Sequence, residues 1–391
     1  MKISVKKYLL YSSIFAIFTE AFFFNWIIDW KLLYVIIAIN YLLLSTIKKL
    51  NINPWFLALL IGFFIHGFIA YTIIGIPYNY MLSQIIGIAI IGTYYYNLIP
   101  VYTTEEIIKV YGKMCVWMAV IGYILLAIYY KEPFYRLMSI FKEPAHYVIV
   151  VLPACYYFLK TKSYWNFAII FGTLLLSTSS LGYIGCGLMF VLPNLTLKRV
   201  GYLVALIPVV FASFYFAYQE LPFFKMRVDD TYQELNVIET GKFQEYTNQS
   251  SFAILSNLFI TKENVIDHPL GSGIGSHYFM HTERYGVEMR PPPYLRTLNL
   301  HQTNAADANS LFLRLVSDLG LIGLALIVFA LYKSSVCFTT NQMYFAQGVF
   351  IYFLLKLFRD GHYFPPELFF FIWLFYYSFK EYKSAQPIIQ D

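Results

Sequence analysis

The sequence predicts an all-α integral membrane protein with about 12 transmembrane helices and one large extracytoplasmic loop between the ninth and tenth spans. Three observations carry this expectation. The chain of 391 residues is 59% apolar and 20% aromatic but only 13% charged, about half the roughly 25% of a soluble domain. Its mean hydropathy is +0.58. Its apolar runs recur at lengths close to the ~20 residues that cross a bilayer as a helix. Such a composition leaves too little polar surface to cover a soluble core, which excludes soluble enzymes, secreted disulfide scaffolds and disordered chains. The net charge of +6 does not indicate nucleic acid, because most of the lysines fall in connections between apolar runs.

In chain order the spans are expected near 8–28, 31–47, 54–75, 80–99, 107–130, 145–160, 163–179, 181–197, 200–218, 309–332, 343–358 and 366–380. The first is read as a retained helix rather than a cleaved signal, because no small-residue cleavage site follows it. Lys2, Lys6 and Lys7 place the N-terminus in the cytoplasm. Every second connection is then basic, through Lys48/Lys49, Lys109/Lys113, Lys160/Lys162, Lys198/Arg199, Lys333 and Lys380/Lys383. Residues 1–218 thus hold nine spans, 219–308 the extracytoplasmic loop, and 309–391 three more spans and a cytoplasmic tail. The four cysteines lie in apolar stretches with no metal-binding spacing. Glu20 and His66 fall inside spans, where interhelical hydrogen bonding is the expected role.

The arginines depart from this pattern. Of eight, only Arg199 is on the cytoplasmic side; Arg136, Arg227, Arg284, Arg290, Arg296, Arg314 and Arg359 lie outside or near the outer boundary. Positive charge there opposes the topological bias and needs a reason. A guanidinium binds phosphate bidentately, where lysine acts as a point charge, so the set points to a diphosphate site at the outer leaflet. Pairing with loop acids is the alternative for any single arginine. Within the loop, SFAILSNLFI (251–260) is amphipathic and is expected to form a short surface helix.

Three segments carry most of the remaining information: FKEPAH (141–146) before the sixth span, HPLGSGIG (268–275) in the loop, and DANSLFLRLVSDLGLIG (307–323) where the chain re-enters the membrane. In this order and setting they resemble the O-antigen polymerase and O-antigen ligase superfamily. The Glu-Pro-small signature, the Pro-Leu-x-Gly-x-Gly turn and the Asn-Ser run ending in acidic-Leu-Gly-x-x-Gly each have a counterpart here. The STSSLGY stretch (177–183) is similar to the family's Ser-rich motif but lacks its Arg. Asp307 and Ala308 stand where ligases carry a His before the Asn, which favours polymerase over ligase; the nearest upstream histidine is His301.

The resemblance implies a polytopic glycosyltransferase that moves a growing glycan from undecaprenyl diphosphate to a lipid-linked repeat unit. Its product would be an O-antigen, capsule or exopolysaccharide. It would work at the outer face of the bacterial cytoplasmic membrane with a flippase and a chain-length regulator as pathway partners. No cofactor, metal or nucleic acid is expected, because the donor is already activated. A ligase-type transferase and a lipid-linked oligosaccharide flippase are the alternatives. The leaving diphosphate calls for cations, assigned to Arg227, Arg290 and Arg314 with Arg284 and Arg296 in reserve. The attacking hydroxyl calls for a base or acceptor, assigned among Asp307, His301 and Glu143. His146, Asn309 and Gly273 are expected to position the acceptor or the loop. Capping is the alternative for Glu143, Asp307 and Asn309, a tight turn for Gly271, Gly273 and Gly275, and snorkelling for Arg314.

Topology is directly testable. Reporter fusions after Lys49, Lys113, Lys162, Arg199 and Lys333 should read cytoplasmic, and one at Gly241 should read external. A cytoplasmic signal at Gly241 would put the loop arginines in the wrong compartment.

Overall fold

The computed structural model describes residues 4–26, 28–132, 135–195, 232–339 and 342–385, with scattered residues between 208 and 229. It is an all-α protein. The principal helices are α1 (Val5–Ala16), α2 (Leu32–Ile47), α3 (Pro54–Ile74), α4 (Asn79–Leu98), α5 (Thr104–Ile128), α6 (Pro144–Lys160), α7 (Tyr164–Leu176) and α8 (Ser180–Val191). After the loop segment come α9 (Gln249–Asp267), α10 (Leu311–Ser335), α11 (Tyr344–Phe358) and α12 (Pro366–Ala385). Among the described residues, four stretches are long and apolar enough to cross a membrane: Pro54–Ile74, Asn79–Val101, Thr104–Ile128 and Leu311–Phe338. Large apolar side chains on them, including Trp55, Ile61, Ile73, Trp117 and Phe329, stay exposed on the protein, as a bilayer-facing surface requires. The expected ninth span, 200–218, and Arg227 lie largely or wholly outside the described residues.

The first expected span is corrected. Residues 8–28 do not form one helix: α1 ends at Ala16, and Phe23–Trp26 pairs antiparallel with Ile28–Lys31 in a two-stranded hairpin. An apolar, aromatic run reads alike as strand or helix from periodicity alone. Leaving the helix early takes Glu20 out of an apolar stretch and delivers it to His146. The expected surface helix at 251–260 is also longer. It runs through Asp267 and buries Phe252, Leu255, Phe259 and Ile260.

Helix α6 is the central post, with every residue from Tyr147 to Tyr156 buried. It packs most extensively against α11. The contact is close because Gly348 of α11 sits on the Pro153 backbone, where a Cβ would lie 2.8 Å from the Pro153 carbonyl oxygen. Tyr111 of α5 donates its hydroxyl to the Val150 carbonyl, and Tyr156 donates to Gln347 Oε1 at 2.7 Å.

The second and third sequence motifs are joined. Helix α10 breaks at Gly320, whose φ is +56°, and the turn 268–275 enters the break. Gly273 N donates to Asp318 O at 2.7 Å and Leu321 N to Pro269 O at 2.9 Å. On the other side the turn is held by α3, through Tyr71 to Ile274 O at 3.0 Å and a His66–Leu270 O contact at 2.9 Å. A Cβ on Gly320 would meet Pro269 O at 2.1 Å, and one on Gly271 would meet Asp318 O at 2.4 Å. Positive φ on an L-residue costs about 1–3 kcal/mol and overpacking a further ~1–3 kcal/mol. Gly320→Ala and Gly271→Ala should therefore lower the thermal midpoint in detergent and reduce accumulation. Gly62→Ala, with open space around it, should do neither.

Candidate functional site

At one end of the bundle the first turn of α6, the connection from α11 to α12, the approach to α10 and the hairpin meet. Each brings charge. Glu143 occupies the N-cap position of α6, but its side chain makes no capping bond; it faces Arg359 at 3.7 Å. One turn on, His146 Nδ1 contacts Glu20 at 2.7 Å. Asp307 Oδ1 accepts from Asn309 N at 3.1 Å, while its Oδ2 lies 3.8 Å from His362 Nε2. The Asp307 backbone packs on Gly361, where a Cβ would come within 1.8 Å of the Asp307 carbonyl oxygen. The cap of α10 is Ser310, which accepts from Leu313 N at 3.2 Å. Neither Asp307 nor Asn309 caps the helix directly. Ala308 and Asn309 instead take left-handed conformations, with φ of +54° and +58°, and Asp307 meets Gly361 and His362 of the connection after α11.

Below this layer Lys356, wholly buried, contacts Asp360 and reaches Glu367 at 3.5 Å. Burial alone would raise the Asp360 carboxyl, but Lys356, His146 and His362 bring it below its ordinary range. Burial lowers the His362 pKa; Asp360 and Asp307 oppose this, and Arg314 and Lys356 assist it. The result is a histidine biased toward its neutral, proton-accepting form.

Two connected cavities open here. The smaller, about 130 Å³, is lined by Glu20, Lys31, Lys142, Glu143, His146, Asp307, Arg359, Asp360 and His362. The larger, about 730 Å³, shares Lys142, Glu143, Asn304 and Arg359 with it and extends toward Tyr129, Tyr135, Arg136 and the start of α9. Among the described residues, Asp307, Asp360 and His362 are the group whose ligand atoms come within 4.8 Å of one another, close enough to hold a metal ion. Lys356 already engages one oxygen of that Asp360.

The structure brings three of the expected residues to this site: Glu143, His146 and Asp307. Asn309 lies beside it, its side chain accepting from Asn304 at 2.7 Å. It does not bring the others. Arg314 is buried, with its guanidinium on the Tyr363 ring at 4.2 Å and donating to Gly361 O and Gln84 Oε1. Its attractions are internal, because it stands one turn from the buried Asp318. Gly273 serves the turn described above. Arg284 lies 3.9 Å from Asp267, and Arg290 pairs through its backbone with Gly241 and Phe243. Arg296 is exposed on the short helix Pro293–Thr297. None of these three, nor His301, lines either cavity. His301 instead stands near the buried His281, whose pKa falls to about 4 chiefly through burial.

Sequence reasoning gave no role to Lys142, Lys356, Asp360 or His362, and placed Arg136 and Arg359 only within the outward set. A signal was present. KLFRDGH (356–362) packs four ionisable side chains between two apolar spans, and ionisable groups at such positions mark function by default. No family model matches the chain, and no curated protein or solved structure matches it.

The buried cation gives a test of the site's architecture. Removing one partner of a buried ion pair costs about 3–5 kcal/mol, because the other charges are left uncompensated. Lys356→Met should lower the thermal midpoint sharply. Adding Asp360→Asn and Glu367→Gln to it should recover much of the loss, read by thermal unfolding in detergent.

Proposed function

We propose that the chain is a polytopic membrane glycosyltransferase that polymerises repeat units of a surface polysaccharide on undecaprenyl diphosphate. In this reading it has about 12 spans, and the charged cavities face the extracytoplasmic side of the bacterial cytoplasmic membrane. The supporting observation is convergence. Glu143 and His146 of the first motif and Asp307 of the third, far apart in sequence, line one cavity together with Arg359 and Lys142. This is the combination that glycan transfer from a lipid diphosphate needs: acceptors for a hydroxyl proton beside cations for a leaving anion.

The reaction runs as a displacement at the anomeric carbon of the donor glycan. A sugar hydroxyl of the acceptor repeat unit attacks that carbon, and a new glycosidic bond forms. The bond from the anomeric carbon to the phosphate oxygen breaks, and undecaprenyl diphosphate leaves with the electron pair. His362 takes the hydroxyl proton on Nδ1, the nitrogen turned away from Asp307, while Asp307 faces Nε2, orients the ring and stabilises the imidazolium. Arg359 and Lys142 receive the diphosphate charge; Arg359 exchanges its contact with Glu143 for the stronger phosphate fork. An apolar groove of about 710 Å³ between α3, α10, α11 and α12 reaches from Leu311 and Tyr363 down to Lys333 and Phe379. It gives the polyprenyl chain a path beneath the charged layer.

The test is the polymer ladder in cells lacking the native gene. Asp307→Asn, His362→Gln and Arg359→Ala should each leave mainly single repeat units at normal protein levels, while Arg359→Lys keeps partial activity. A charge-assisted hydrogen bond is worth about 1.5–3 kcal/mol, so loss of one slows turnover by about tenfold to a hundredfold. Glu288→Gln, on an exposed turn away from both cavities, should give the full ladder. Wild-type ladders from the first three variants would overturn the site.

With purified enzyme, the rate should rise with pH through a step below 6.5, because the base must be deprotonated and its pKa is lowered. That acid step should vanish in His362→Gln. An unchanged pH profile in that variant would assign the base elsewhere, with Glu143 the next candidate.

A further inference from the structure

We infer that the larger cavity is a saccharide-binding site that holds sugar rings of a glycan chain beside the charged pocket. This rests on the glycosyltransferase reading above and adds to it the subsite that grips the sugars. The cavity is about 730 Å³, within the roughly 300–1,000 Å³ of sites for small ligands. Its walls differ in chemistry. One group of lining residues is Tyr129, just past the end of α5, and Tyr135, with ring centroids 5.1 Å apart and planes inclined at 34°. A second group is the neutral polar side chains of Gln249, Ser250, Thr303 and Asn304.

A sugar ring has an apolar C–H face and a rim of hydroxyls. The tyrosine faces suit the first, and amides and hydroxyls that both donate and accept suit the second. The polar wall is held in place. Gln249 Nε2 reaches Thr303 Oγ1 at 3.4 Å, and Asn304 Nδ2 donates to Asn309 Oδ1 at 2.7 Å.

Charge argues the same way. Among the described residues and away from the shared floor, Arg136 is the lining cation and Glu132 the lining acid. A neutral polar ligand fits this balance better than a polyanion or a lipid chain. The floor formed by Lys142, Glu143, Asn304 and Arg359 belongs to both cavities. Sugars on the tyrosines would therefore present the end of a glycan to Asp307 and His362.

The experiment uses the purified full chain in nanodiscs. The probe is the oligosaccharide released by mild acid from the lipid-linked pool of the producing cells. Binding is read by saturation-transfer NMR and equilibrium dialysis. The wild type and Tyr135→Phe should bind alike, and Tyr135→Ala should bind about tenfold more weakly. Thr303→Trp, which fills the cavity, should abolish binding. In turnover assays Tyr135→Ala should raise KM for the lipid-linked unit more than it lowers kcat, with unchanged thermal unfolding and an unchanged acid step. If Thr303→Trp fails to fold, the Tyr135 pair decides.

The two readings fail separately. Binding that depends on Tyr135, with no polymer formed by the wild type, would keep the saccharide site and remove the polymerase. Polymer formed by the wild type, with Tyr135→Ala unchanged in both binding and KM, would overturn the saccharide site and leave the polymerase standing.

Discussion

The buried carboxylate of Asp318 is the constraint on which this end of the molecule depends. Four donors converge on it: Gly275 N, His277 N, the Ser276 hydroxyl and the Tyr363 hydroxyl. A charge without solvent is tolerated only when its hydrogen-bonding capacity is filled. Here the filling groups come from the glycine-rich turn and from the connection after α11. Satisfying one side chain therefore fixes three segments at once. Arg314, one turn before Asp318, adds its guanidinium over Tyr363 and a donor to Gly361 O. The loop carrying His362 and Asp360 is thus set by interactions made below it.

The same logic runs through the neighbouring polar core. His277 bridges Asn257 Oδ1 and Ser317 Oγ, each at 2.9 Å. Asn264 donates to Ser272 Oγ and to Ser317 O. All of these side chains are fully buried. Burial holds the His277 pKa far below its ordinary range, so the ring stays neutral, with a donor on one nitrogen and an acceptor on the other. Such a network favours one arrangement of its members, and within it Asn264 Oδ1 is buried without a hydrogen-bond partner. Helix α9 is therefore locked to α10, and the start of α9 reaches the cavity as part of a rigid wall.

The charged layer above works on a different principle. Two of its acid–base pairs join separate elements at contact distance without close hydrogen bonds: Arg359 with Glu143 at 3.7 Å and His362 with Asp307 at 3.8 Å. Groups held near one another but not saturated are free to exchange partners with a ligand. Lys356 beneath them is different again, wholly buried and bracketed by two carboxylates. It sets the field in which Asp360 and His362 ionise, so the layer joins a fixed base to adjustable upper contacts.

Much of the helical framework is legible in the sequence alone. Apolar runs bounded by Lys, Pro and Gly mark the helices from α2 to α8 and from α10 to α12, because a helix that must satisfy its own backbone reads out locally. FKEPAH and DANS, far apart in sequence, come together in the fold: Glu143, His146 and Asp307 line one cavity. The limits of local reading are equally physical. Residues 8–28 are apolar in helix and hairpin alike, so the end of α1 at Ala16, which leaves Glu20 free to meet His146 on α6, is visible only in the fold. The outward bias of the arginines is visible in the sequence, but not which of them face a cavity. Arg314 looks like its neighbours in sequence and is consumed internally by Tyr363, Gly361 and Gln84. Composition and spacing determined that the chain is a helical, membrane-type protein with charge at selected connections. Tertiary structure alone decided which charges meet, because the partner of a buried ion is chosen by packing across the chain and not by position along it.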